Sequence, residues 1–71
     1  MNYFILKTYD GYNKHELLID DCNFDLIEKV FDRIRIGPGE TLQLCETKIN
    51  MDEIEFEEDI DLIDYKVIRE K

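Results

Sequence analysis

Chemistry that makes or breaks bonds needs a nucleophile, a base or a metal ligand held by partners, and this chain offers few of them. His15 is its only histidine, Cys22 and Cys45 are its only cysteines, and it has no serine. Two thiols do not complete a zinc site, no CxxC spacing occurs, and nothing local marks either thiol as activated. Both cysteines are read as free thiols, and His15 as a solvent-facing turn or edge residue. Gly37-Pro38-Gly39 lacks the lysine and the preceding strand of a phosphate loop, so it reads as a helix stop. Tyr3, Tyr9, Tyr12 and Tyr65 would stack nucleobases only within a basic groove, which this composition does not supply. Some of them are expected in the core or at a partner contact. No catalytic residue, metal or cofactor is expected.

Carboxylates are what the chain has in excess. The thirteen residues Asp52 to Asp64 (DEIEFEEDIDLID) carry eight of them and no Lys or Arg. In an extended segment, Glu53, Glu55, Glu57, Asp59 and Asp61 would form one row, with Ile54, Phe56, Ile60 and Leu62 on the other side, interrupted by Glu58. A two-residue step along a strand spans roughly 6.6 Å, close to the spacing of about 7 Å between phosphates along one DNA strand. Ordered carboxylates at that spacing can stand in for a phosphate backbone. Calcium fits less well, because Glu57, Asp59, Asp61 and Asp64 offer hard oxygens without the central glycine and terminal glutamate spacing of an EF-hand loop. A second stripe, Asp21, Asp25, Glu28 and Asp32, falls on one side of a helical segment, with Lys29 and Arg33 positioned to neutralise part of it. An acidic face also serves solubility and blocks unwanted strand pairing, and that use needs no partner.

The totals sharpen the choice. The 71 residues carry a net charge of −9, beyond the magnitude of roughly 2 to 8 that solubility asks of a small domain. Residues 52 to 71 hold nine acids and three bases, and residues 1 to 51 nine acids and six bases, so the two parts carry −6 and −3. A surface of this sign repels nucleic acid and anionic membranes and attracts basic proteins. The opening YFIL run is too short for a signal peptide and lacks its basic region. No window approaches a membrane span, and the cytoplasm is the expected compartment.

The elements that must position these charges are legible in outline. Tyr3 to Tyr9 reads as a strand, Asp10, Gly11 and Asn13 as a turn, and His15 to Ile19 as the return strand of a hairpin. Phe24, Ile27, Val30, Phe31 and Ile34 recur at spacings of three and four, which predicts a helix from about Asn23 to Ile36, capped by Asp21 or Asn23. Thr41 to Ile49 reads as a third strand and Tyr65 to Ile68 as a final one. Met51 to Glu57 fits either a short helical turn or a strand. The expected fold is a single α+β domain over residues 1 to 71: a hairpin, one helix, then two or three strands, with the helix on one sheet face. A thin core and open strand edges suggest a homodimer.

In size, charge and the DEIEFEEDIDLID stretch, the chain resembles the small acidic proteins with which bacteriophages disable host DNA-binding proteins, most of all the host-takeover inhibitors of the bacterial nucleoid protein HU. The resemblance implies a stoichiometric, non-enzymatic DNA mimic that occupies the basic surface of HU in the host bacterial cytoplasm. Its contacts would come from Glu53, Glu55, Glu57, Glu58, Asp59 and Asp61, with Asp25, Glu28 and Asp32 in a secondary role. Two alternatives keep the same chemistry: an anti-CRISPR or anti-restriction protein covering a nuclease's DNA groove, and an immunity or adapter protein that binds a basic partner without imitating DNA.

Overall fold

The structure is a computed structural model that describes residues 1–9, 15–55 and 62–71. Within them lie β1 (Asn2–Tyr9), β2 (His15–Asp21), α1 (Phe24–Arg33), β3 (Glu40–Thr47), a short 3-10 turn (Met51–Glu53) and β4 (Tyr65–Glu70). The strands make one antiparallel sheet in the order β2-β1-β3-β4. This is the expected α+β architecture with two strands after the helix. The turn residues Asp10, Gly11 and Asn13 lie outside the described residues.

The helix forms where its apolar spacing places it. Asn23 caps it by accepting a hydrogen bond from the Leu26 N–H at 3.2 Å, while the Asp21 carboxylate accepts from the Asn23 N–H at 2.8 Å. Both expected capping residues therefore act, one on the helix and one on the cap. The helix ends at Arg33, three residues earlier than the apolar period alone suggests, because Ile34 turns extended at ψ 131°. Lys71 accounts for the carbonyls left at that end: its Nζ donates to the Phe31 and Ile34 oxygens at 2.6 and 2.9 Å. Beyond it the chain turns at Gly39, whose φ of 77° suits a residue without Cβ. Glu40 pins this turn, since its Oε1 accepts the Gly37 N–H at 2.6 Å and its Oε2 meets Lys7 Nζ at 2.6 Å.

Each face of the sheet has its own core. On one, Ile27 and Phe31 of α1 bury against Ile5, Leu42 and Leu44, flanked by Tyr3, Phe24, Ile34 and Ile36. Tyr3 lies against Phe24 with ring centroids 5.1 Å apart. On the other face, Phe4, Leu6 and Cys45 are fully buried beneath Met51, with Leu17, Ile54, Ile63 and Tyr65 packed around them. Tyr65 meets Phe4 edge to face at 5.3 Å. The consecutive buried residues Phe4, Ile5 and Leu6 mark β1 as a strand covered on both sides, which a continuous apolar run such as YFIL signals. The expectation of a helix covering one face holds; the second cover was not foreseen.

Polar groups tie this second cover in place. Asn50 caps the 3-10 turn by accepting the Asp52 N–H at 3.1 Å. Thr47, 3% exposed, donates to the Asp64 carbonyl at 2.9 Å and accepts the Ile49 N–H at 3.2 Å, joining the two ends of the segment between β3 and β4. Asn2 Nδ2 donates to the Ile49 carbonyl at 2.9 Å. Both cysteines are free, Cys22 exposed and Cys45 buried. Burial, with the Glu70 charge as a lesser cause, pushes the Cys45 thiol up to about 12. Cys45 thus stays a protonated, unreactive core side chain at neutral pH.

Candidate recognition surface

The acidic run enters the described structure as a turn and not as a strand. Met51 inserts into the core beneath the sheet, which forces Asp52 and Glu53 outward on the 3-10 turn. The backbone then extends at Ile54 (φ −117°, ψ 150°), Ile54 packs beside Met51, and Glu55 is exposed. The alternation expected of an extended row therefore fails at Glu53, since a three-residue helical turn does not keep a period of two. Glu57, Glu58, Asp59 and Asp61 lie outside the described residues. Asp64 is exposed and contributes its backbone carbonyl to Thr47.

The helical stripe lies elsewhere. Asp25 is exposed in the first turn of α1, at the end of the helix dipole that favours an anion. Glu28 and Asp32 are held by Arg69 of β4, whose Nη1 lies 3.7 Å from Glu28 and 2.9 Å from Asp32. The same guanidinium stacks over the Phe31 ring with 5.0 Å to its centroid. Lys29 and Arg33 were the expected neutralising partners. Arg69 takes that role because the pairing of β4 with β3 places it on the helix side of the sheet, opposite Leu44.

These positions separate the two acidic groups. The helix packs on the face formed by Ile5, Leu42 and Leu44, and Met51 and Ile54 pack on the face formed by Phe4, Leu6 and Cys45. Asp25, Glu28 and Asp32 thus belong to one side of the sheet, and Asp52, Glu53 and Glu55 to the other. A flat partner surface reaches one group or the other. An open depression of about 230 Å³ is lined by Glu46, Thr47, Lys48, Asp64 and Lys66 among others, with charges of both signs.

Other charges are engaged in holding the sheet together. At one end of its helix side, Lys7 bridges to Glu40 while the Tyr9 hydroxyl donates to Glu16 at 2.8 Å. The hydrogen bond with Glu40 is the main cause that raises Lys7 above its ordinary value. Reciprocally, Lys7 first and the Gly37 N–H second hold Glu40 below its own. Of the tyrosines, Tyr3 and Tyr65 serve packing and Tyr9 this cross-strand network; Tyr12 lies outside the described residues. No group of three His, Cys, Asp or Glu among the described residues is arranged to hold a metal ion. No described helix is long and apolar enough to cross a membrane. No family model, curated protein or solved structure matches the chain.

Proposed function

We propose that the protein is a DNA-mimic inhibitor: it binds the basic DNA-binding surface of a bacterial nucleoid protein, HU in the first instance, and excludes DNA from it without catalysing a reaction. The observation that carries this reading is the anchored acidic turn. Met51 is buried and Asn50 caps the backbone, so Asp52 and Glu53 are held outward by the fold. Charges fixed in place lose little conformational freedom on binding, which distinguishes a recognition surface from a merely soluble one. The proposed contacts are Glu53, Glu55, Glu57, Glu58, Asp59 and Asp61. Asp25 is a secondary contact from the opposite side, reached only by a partner that wraps around the sheet, while Glu28 and Asp32 must also exchange Arg69 for the partner. The setting is the host bacterial cytoplasm.

Competition decides it. Increasing amounts of the protein are added to HU bound to a fluorescent duplex, and release of the duplex is followed by anisotropy. Displacement near one-to-one stoichiometry is expected, weakening as salt shortens the Debye length to about 8 Å at 0.15 M. Reversing Glu55, Glu57 and Asp59 together to Lys should abolish displacement, whereas reversing Asp10, Asp20 and Asp25 together to Lys, an equal change of net charge, should reduce it only slightly. Equal losses from both would reduce the effect to net charge, and no displacement by the unaltered protein would remove HU as the partner. A nuclease effector recovered from lysate in place of HU would favour the anti-CRISPR or anti-restriction reading. A basic partner that does not bind DNA would favour the immunity or adapter reading.

A further inference from the structure

The two edges of the sheet carry opposite charge. β2 (HELLIDD) contributes Glu16, Asp20 and Asp21 with no Lys or Arg, while the stretch from Tyr65 to Lys71 (YKVIREK) carries Lys66, Arg69 and Lys71 against Glu70 alone. Arg69 is held by Glu28 and Asp32 and Lys71 by the carbonyls at the helix end, so the base that this edge presents outward is Lys66. Each edge strand also has one residue without a counterpart: the register slips by one between Ile5 and Leu6, leaving out Leu18, and between Leu44 and Cys45, leaving out Ile68. Such slips ordinarily blunt an edge against pairing. Here they leave apolar side chains partly in solvent, with Leu18 37% exposed and Ile68 36%.

We propose that these edges are made for each other, and that copies of the chain associate head to tail by pairing β4 of one with β2 of the next. Topology permits it directly. In a four-stranded antiparallel sheet the outermost strands run in opposite directions, so a copy set alongside in the same orientation presents β2 antiparallel to β4, with both helices on the same side. The internal pairings fix which side chains share a face. Tyr3 with Asp21 and Lys7 with Glu16 place these two acids on the helix side, and Leu44 with Arg69 and Glu46 with Lys66 do the same for these two bases. Of the registers that match like faces across the new seam, the one proposed sets the outward base Lys66 opposite Asp21, with Val67 opposite Asp20, Arg69 opposite Ile19 and Glu70 opposite Leu17. The unmatched Ile68 and Leu18 then fall within one residue pair of each other. Lys66 stands between Glu46 of its own sheet and Asp21 of the neighbour. Pairing β2 with β2 would instead oppose acid to acid. Pairing β4 with β4 about a twofold axis cannot join Lys66 to Glu70, because the slip at Ile68 puts them on opposite faces. The contact is weak, since any two copies repel at long range. It is also open-ended, as a heterologous contact is unless its rotation closes a ring.

Sedimentation equilibrium tests this. The weight-average mass should rise with concentration from 8.6 kDa. Lys66→Glu alone and Asp21→Lys alone should each weaken association roughly five- to tenfold, as expected when a cross-strand attraction becomes a repulsion. An equimolar mixture of the two variants should recover it, because every seam in an alternating chain again joins opposite charges. Asp21→Asn, which keeps an oxygen for the Asn23 N–H, checks that the loss does not come from the helix start. It should weaken association less than Asp21→Lys while leaving the circular dichroism spectrum unchanged. A mass fixed at 8.6 kDa at every concentration, variants that associate like the parent, or a mixture that stays as weak as its components would each overturn the proposal.

Discussion

The two faces of the sheet are covered by different means. On one, a ten-residue helix lays Ile27 and Phe31 into the sheet and is locked at its end by Lys71 and along its side by Arg69. On the other, a three-residue turn and irregular chain bring Met51, Ile54 and Ile63 over Phe4, Leu6 and Cys45. The helix satisfies most of its own backbone hydrogen bonds, so its cover is a repetitive and stiff element. The irregular cover depends on Asn50, Thr47 and Asn2 side chains to satisfy what its backbone leaves unpaired. Asp52 and Glu53 lie on the second kind of support, exposed between the apolar anchors Met51 and Ile54.

The largest expected difference between the faces is in stability. Phe31 is fully buried and also carries two cations against its ring, Arg69 at 5.0 Å and Lys71 at 4.9 Å. Phe31→Ala should cost about 3 to 5 kcal/mol, out of roughly 4 to 11 kcal/mol expected for a domain of this size. Urea denaturation should show a midpoint lowered by about a quarter at the least, and no folded baseline if the parent lies at the low end of that range. Unchanged stability would contradict the helix-side core.

The second face should respond less. Met51→Ala removes the buried anchor of the acidic turn and should cost about 2 kcal/mol, the low end for such a truncation, because the cover is short and can settle. Met51→Leu nearly conserves volume and should cost less than about 1.5 kcal/mol. If the acidic surface depends on this anchor, Met51→Ala also weakens displacement of DNA from HU under conditions where the protein is still folded, and Met51→Leu does not. A loss as large as that of Phe31→Ala would make the two covers equal and defeat the comparison.

Legibility in the sequence follows the same division. Phe24, Ile27, Val30, Phe31 and Ile34 announce the helix because a regular element repeats its contact every three or four residues. Asp21 and Asn23 bound its start by local chemistry, whereas it ends at Arg33, three residues short of the Gly-Pro-Gly stretch expected to stop it. Met51, Ile54 and Ile63 have no common period, since each reaches the core from a different backbone direction. The one signal of a second cover was the unbroken Phe4-Ile5-Leu6 run. Charge was legible in amount and less so in arrangement. The stripe Asp25, Glu28, Asp32 lies on the helix as its spacing requires, yet its counter-charge comes from Arg69, which only the pairing of β4 brings near. That the two acidic groups lie on opposite faces follows from the same long-range pairing, which no local pattern encodes.

The smallest expected effect concerns the end of the helix side, where Lys7 and Glu40 join β1 to β3 and hold the turn at Gly37. Glu40 titrates below its ordinary value in the folded protein, chiefly through the Lys7 hydrogen bond and then through the Gly37 N–H. Its stabilising contribution is therefore complete above the unfolded carboxyl value of 4.5 and is lost as pH falls through the lower folded value. Lys7 is raised above 10.5, again chiefly by Glu40, so its contribution is complete below 10.5 and is lost as pH climbs through the folded value. Between those limits the pair gives no slope to stability against pH. Glu40→Gln keeps an oxygen for the Gly37 N–H and removes the charge. Its melting temperature should lie slightly below the parent's near pH 7, and the gap should close as pH drops below 4.5 and the parent's carboxylate is protonated. Both partners are solvent-accessible, so the gap should also narrow in high salt, as a screened surface pair requires. A gap that persists unchanged at pH 3 would assign the loss to the Gly37 turn and not to the ion pair, leaving charge out of what joins β1 to β3.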